Sequence, residues 1–414
     1  MVYDYKVKVN GVEEKVHSTE MGCFCQFEMD SPVKVEIFCA RAINKVDIRP
    51  KSRNISAEYS KGKIELNLSS PAKLSVEINE DVENPLFLFA DSQENSRPDP
   101  EDPNVKYFKS GQTYETGEIE LTDNQTLYIE RGAIIEGCVI ARNSKNIKIA
   151  GRGVMDASKY QNATQILGCE NVAISGVTII KSGIEWVNRI FNCTNVHISD
   201  YKGISRGRYS DGLDLLGCKH VVVDNVFIRS WDDSIVIKSN KFGYSGNVED
   251  ILIQNSVLWN GLAGNALEIG YETDTEYIRD ITFRNIDIIR SDRPKDSWWR
   301  CAALSIHHAG NAKISRIRFE DIRIEATMES LVYFGIVTTT PEWGNGGGVL
   351  SDVYVKDIQL TGGPAAPSFI KGLDTSELKG ITFDNLMYHG RKINNEQDAK
   401  AAGFTIEYAE VSWK

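Results

Sequence analysis

Two acidic runs stand out in the sequence: Ser210-Asp211-Gly212-Leu213-Asp214 and Ser230-Trp231-Asp232-Asp233-Ser234-Ile235-Val236-Ile237-Lys238. Asp211 precedes Asp232 by 21 residues, and each run ends a turn-like stretch and opens an apolar one. If that spacing is about one turn of a stacked fold, Asp211 lies one rung from the Asp232-Asp233 pair, on the same face. Three carboxylates so close repel one another, and at least one keeps a proton near neutral pH, its pKa raised by like charge. A protonated carboxyl beside ionised ones suits cleavage of a glycosidic bond: the acid meets the leaving oxygen and a carboxylate activates water. Two other readings stand beside this one. Aspartates are common in solvated turns, and clustered carboxylates bind Ca²⁺.

The elements that must position these residues form a repeat. From residue 146 onward a polar residue, an alternating apolar strand, an Asn, Asp or Gly and a second apolar strand recur, as in Asn171-Val172-Ala173-Ile174-Ser175-Gly176-Val177 and Ile281-Thr282-Phe283-Arg284-Asn285-Ile286. Aligning the last inward residue of each first strand gives Ile149, Ile174, Ile198, Val223, Ile253, Phe283, Phe319, Val355 and Phe383, with steps of 25, 24, 25, 30, 30, 36, 36 and 28. A shortest period near 25, lengthened by insertions, predicts the coils of a right-handed parallel β-helix. Such coils stack at about 4.8 Å, and none is stable alone. Cys169, Cys193 and Cys218 each lie five residues before a ladder residue, so they should stack as buried thiols; a disulfide between coils would need an oxidising compartment.

Residues 1–95 read differently. Tyr5-Lys6-Val7-Lys8-Val9, Val33 to Phe38, Lys63 to Leu68 and Lys73 to Ile78 alternate as strands with one wet face. They predict a small antiparallel β-sandwich. The stretch Asp91 to Pro103 reads as a linker or exposed loop, residues 105–414 as the β-helix domain, and Asn395 to Ala402 as the one short helix. The fold class expected is all-β, a sandwich followed by a right-handed parallel β-helix.

Composition narrows the partners. The 414 residues carry a net charge of −11, with 41% apolar and 25% charged residues, which is ordinary globular composition. An acidic surface repels phosphate backbones, so nucleic acid is not expected as a partner. No apolar run reaches the roughly 18 residues of a membrane span, and the N-terminus shows no basic stretch before an apolar one. The sequence as given is therefore expected to be cytoplasmic, or exported with its leader removed. None of the eight cysteines has zinc-knuckle spacing.

The order Ser-Asp-Gly-Leu-Asp, then Asp-Asp-Ser-Ile-x-Ile-Lys-Ser, then Gly264-Asn265-Ala266-Leu267-Glu268-Ile269-Gly270 resembles glycoside hydrolase family 28, the polygalacturonase-like β-helix enzymes. The resemblance covers about residues 105–390, and its specific part is 210–270. An N-terminal sandwich before the helix is also similar to the related dextranase and isopullulanase family 49. The resemblance implies that Asp232 is the general acid. Asp211 and Asp233 would hold and deprotonate water, with inversion at the anomeric carbon, a carbohydrate as substrate and no metal or other cofactor.

Two departures bear on the substrate. The family's Gly-His-Gly falls on Gly264-Asn265-Ala266, so Asn265 replaces its His. Its Arg-x-Lys pair, which grips a uronate carboxylate, falls on Ser305-Ile306-His307. That exchange removes a permanently charged clamp, so a neutral sugar at the cleaved site is expected. A galacturonan hydrolase, a calcium-dependent polysaccharide lyase and a non-catalytic glycan-binding β-helix are the alternatives. A lyase also needs a base to remove a proton, and this stretch offers no Arg or Lys beyond Lys238. The candidate substrate-binding residues are Asp214, Lys238, Asn265, Glu268, Trp298, Trp299, His307 and Trp343. Glu272 is a further candidate for sugar hydroxyls, and exposed or packing roles remain open for all of them.

Overall fold

Alternation near the N-terminus pairs short strands into two five-stranded sheets. The computed structural model describes residues 5–292, 301–338, 344 and 346–414, and the chain divides into two compact units, Met1–Arg97 and Pro98–Lys414. In the first unit one sheet runs Val12–Glu14, Lys6–Val9, Val33–Phe38, Lys63–Leu68, Ala57–Ser60, all antiparallel. The other runs Val16–Thr19, Gly22–Met29, Leu86–Ser92, Ala72–Ile78, Val46–Arg49. It is antiparallel except for Gly22–Met29 beside Leu86–Ser92, which are parallel. Val33, Val35 and Ile37 are buried and Lys34 is exposed, the pattern of a strand with one wet face. The stretch read as linker starts later than expected. Asp91 is buried and continues the strand, opposite Glu28.

The second unit is the right-handed parallel β-helix. Ile149, Ile174, Ile198, Val223, Ile253, Phe283, Phe319, Val355 and Phe383 stand in direct register, each paired with the next. Each is essentially solvent-free, and a buried side chain of this size stabilises by about 2 kcal/mol. At the start of successive strands the chain bends through asparagines in the left-handed conformation, which Asn tolerates better than bulkier residues: Asn146, Asn171 and Asn195 have φ of 57°. Their side-chain amides link into a ladder at 2.7–3.1 Å. Insertions loop out without breaking the register. All eight cysteines are free and buried. Cys193 Sγ accepts from the Cys169 amide at 3.4 Å, so these thiols do stack. The helix Glu396–Ala401 starts on an Asn395 cap that accepts from the Asp398 amide at 2.9 Å. Among the described residues no helix is long and apolar enough to cross a membrane.

One sheet of the β-helix matters for the site. Its strands Asn188–Phe191, Leu213–Leu216, Ile235–Lys238, Leu267–Tyr271, Ala302–His308 and Ser330–Ile336 stack in parallel. Ile190, Leu215, Ile237, Ile269 and Ile306 point into the core. Alternation then sends Arg189, Asp214, Val236, Glu268, Ser305 and Tyr333 to the outer face.

Candidate active site

The segments entering these strands keep the parallel pairing. Gly212 donates to the Asp233 carbonyl at 2.8 Å, and Ser234 donates to the Asn265 carbonyl at 2.9 Å. Asp211, Asp233 and Asn265 therefore occupy equivalent places on three successive rungs. Carboxylate oxygens of Asp211, Asp232 and Asp233 all lie within 4.8 Å of one another. Among the described residues they are also a group of acidic ligands close enough to hold a cation.

Hydrogen bonds fix each carboxylate. Asp233 Oδ1 accepts from the Asn265 amide at 2.6 Å and from Asn265 Nδ2 at 2.9 Å. Asp232 Oδ1 accepts from the Asp233 amide at 3.0 Å, and Ser230 Oγ donates to the Asp232 carbonyl at 2.7 Å. Gly264, at φ +82°, passes directly beneath; a side chain there would collide with Asp232 Oδ1 and the Asp233 amide. Behind them Lys238 Nζ donates to Asp211 Oδ2 at 3.0 Å and Asp214 Oδ1 at 3.1 Å. Asp214 is fully buried, and its Oδ2 has no hydrogen-bond partner.

Two carboxyls thus share one ammonium whose field also reaches Asp232 and Asp233, and their titration reflects it. Burial pushes Asp211 well above the usual carboxylate range, and Asp214, Asp232 and Asp233 push it further against the pull of Lys238. Burial likewise lifts Asp214 to about 6, with Lys238 opposing. Asp233 is raised well above its ordinary value by burial and by the charges of Asp232 and Glu268. Burial raises Asp232 too, tempered by Lys238 and by the amides of Asp233 and Tyr209. Burial works against the charge of Lys238, yet Asp211 and Asp214 hold its pKa well above normal. The cluster keeps its ammonium charged and holds protons on carboxyls where isolated aspartates would be ionised.

A sequence model of the glycosyl hydrolases family 28 matches residues 132–396. The chain belongs to this family. It is a glycoside hydrolase, acting on carbohydrate. No curated protein sequence matches the chain. Among solved structures the fold is similar to Dex49A from Penicillium minioluteum, with TM-score 0.67 and 16% identity over 94% of this chain and 83% of that one. It is also similar to a hyperthermoactive exopolygalacturonase from Thermotoga maritima, with TM-score 0.58 and 19% identity over 70% and 85% of the two chains. An endo-xylogalacturonan hydrolase from Aspergillus tubingensis gives 0.51 and 13% over 74% and 92%.

On the scaffold of this family-28 chain, the residues expected to bind sugar fall into two groups. Trp298, Trp299 and Trp343 lie outside the described residues. Asp214, Lys238, Asn265, Glu268 and His307 line the same face, but each is less than 5% exposed. Their hydrogen bonds here run to other protein groups. Asp214 and Lys238 support Asp211, and Asn265 holds Asp233 and also accepts from the Ala302 amide at 2.8 Å. Glu268 accepts from Ser305 Oγ and lies 3.0 Å from His307 Nδ1. Glu272 is buried and pairs with Lys241 at 2.8 Å. Only Asp232 and Asp233 of the acidic group are half-buried rather than buried.

Several neighbours of the site escaped the sequence reading. The Trp186 ring lies 3.6 Å from Lys238 Nζ, and Tyr271 and Tyr333 stack on the two sides of His307 at 4.4 and 4.1 Å. Arg208 and Tyr209, one packed on the other at 4.6 Å, belong to the exposed loop before Asp211. The period itself held the signal for Trp186, which precedes Asp211 by 25 residues, one coil.

Proposed function

We propose that this protein is an inverting glycoside hydrolase that cuts a glycan with a neutral sugar at the cleaved position. Asp232 is the general acid: its proton passes to the glycosidic oxygen as the bond from that oxygen to the anomeric carbon breaks. Asp211 and Asp233 hold a water and accept its proton as its oxygen bonds to the anomeric carbon from the opposite side. Asn265 occupies Asp233 Oδ1 with both its bonds, which leaves Oδ2 to face the water. The observation that carries this reading is the meeting of three carboxylates within 4.8 Å, one of them, Asp211, paired with the buried Lys238 ammonium.

The neutral sugar is supported by the rung beyond. Where a uronate clamp would need fixed cations, the face carries Ser305, His307 and the carboxylate of Glu268. Of these, the only charge of fixed sign is the Glu268 carboxyl, which adds no attraction for a uronate. One observation favours a second stereochemical reading. Oxygens within 4.8 Å of one another are close enough for a retaining pair; the third carboxylate is what allows a water to be held by two acids while the other donates. The same three oxygens also keep alive the calcium-dependent lyase.

The test is reducing-end release across neutral and uronic glycans, with NMR of the first-formed anomer. Faster cleavage of neutral α-glucans or other uncharged glycans than of polygalacturonate, with the anomer inverted, is expected. A retained anomer overturns the single displacement, and preferred release of galacturonate overturns the neutral sugar. An unsaturated, chelator-sensitive product would make the protein a lyase.

A further inference from the structure

Upstream of the carboxylates the same face carries a second, separately built surface. Val187 donates to the Asp211 carbonyl at 3.0 Å, which places Trp186 one rung before Asp211. Trp186 packs with Leu167, Phe191 and Leu216 in a small apolar cluster outside the helix interior. A hairpin of Asn240–Lys241 and Tyr244–Ser245 lies against this cluster. Phe242 meets Trp186 edge-on at 5.1 Å, and Tyr244 meets Phe191 at 5.5 Å. The hairpin is tethered on both sides: Asn192 Nδ2 donates to the Ser245 carbonyl at 3.1 Å, and Lys241 pairs with Glu272 at 2.8 Å.

The two turn residues are Phe242 and Gly243, at φ of +51° and +83°. Two successive left-handed residues make the tight hairpin turn in which Asn-Gly is at ease; a bulky aromatic there is strained. Burial does not offset the strain, because Phe242 is 50% exposed. The ring is nonetheless held in place, with the Arg189 guanidinium 4.2 Å from its centroid. Every cation touching this patch already has an acid: Arg189 pairs with Glu185 at 2.6 Å, Lys241 with Glu272, and Lys238 with Asp211 and Asp214. The patch is therefore aromatic and charge-balanced, suited to the apolar C–H face of an uncharged pyranose.

We propose that Phe242, backed by Trp186 and Arg189, is a stacking platform for a neutral sugar residue of the substrate on the upstream side of Asp211. The proposal rests on the hydrolase reading above and deepens it. Phe242→Asn tests it, because Asn relieves the backbone while removing the ring, so fold and platform respond in opposite directions. The melting temperature should hold or rise by about 2 °C. KM for long neutral oligosaccharides should rise about tenfold. The gain in kcat/KM from short to long oligosaccharides should disappear, and Phe242→Trp should restore it. A lower melting temperature with KM unchanged at every chain length would overturn the proposal and make Phe242 a packing residue. If the wild type cuts no glycan, the platform falls together with the hydrolase reading; if it cuts glycans and Phe242→Asn keeps the chain-length gain, the platform alone falls.

Discussion

Along one outer face of the β-helix, two neighbouring patches use the same backbone for different chemistry. Around Asp233 the face holds further carboxyls, Asp211 and Asp214, gathered on the Lys238 ammonium at 3.0–3.1 Å. On the next rung the Glu268 carboxyl bonds with Ser305 and His307, with His307 sandwiched between Tyr271 and Tyr333. In the first patch, more acid than base is buried together, so protons are retained and remain transferable. In the second, Ser305, His307 and the stacked rings enclose the Glu268 carboxyl, and the patch is a wall. The comparison teaches that the parallel register only sets positions; the ratio of acids to cations on each rung decides whether a position can exchange a proton.

The largest effect should come from removing the proton donor of the first patch. Asp232→Asn is nearly isosteric and should lower kcat about 10³-fold while KM and the melting temperature stay close to wild type. Retention of more than a few per cent of the rate would place the acid elsewhere.

Removing the ammonium should strike stability. Lys238→Met leaves Asp211 and Asp214 buried without a counter-charge, a loss of about 3–5 kcal/mol near pH 8. The sign follows from their raised pKa values. An acid whose folded pKa lies above its unfolded value stabilises fully below about pH 4 and loses that contribution as pH rises through the folded value, which for Asp214 is about 6. The deficit of the variant in urea unfolding should therefore shrink from pH 8 to pH 4. Equal deficits at both would mean that Lys238 is held by packing on Trp186 rather than by charge.

The second patch should respond to restored cations. The double substitution Ser305→Arg with His307→Lys is expected to shift the ratio of polygalacturonate to neutral-glycan turnover about tenfold toward the uronate. An unchanged ratio would show that this rung does not read the sugar's charge. The smallest effect joins the two patches. Glu268→Gln removes one of the charges that raise Asp233, so the acidic limb of the pH–rate profile, which reports the base, should move to lower pH. No movement would separate Glu268 from the acidic group.

Much of this was legible in residue order. The nine ladder residues from Ile149 to Phe383 could be aligned by period alone, because an inward apolar side chain on every coil is the condition for stacking. The meeting of Asp211 with Asp232-Asp233 followed from the same phase. Burial was not legible. Glu268 and His307 look in sequence like polar residues free to meet a ligand, and their pairing bridges 39 positions. The parallel partner of Gly22–Met29 was hidden too, since alternation marks a strand without saying which strand lies beside it.

By itself the sequence determined the repeat, the inward face of each coil and the rung on which each acid sits, since these follow from periodicity and side-chain alternation. The tertiary structure alone decided which acids share Lys238, which face solvent and which are sealed against protein. Those properties depend on side chains brought together from separate coils and on the water they exclude, and no local stretch of chain encodes either.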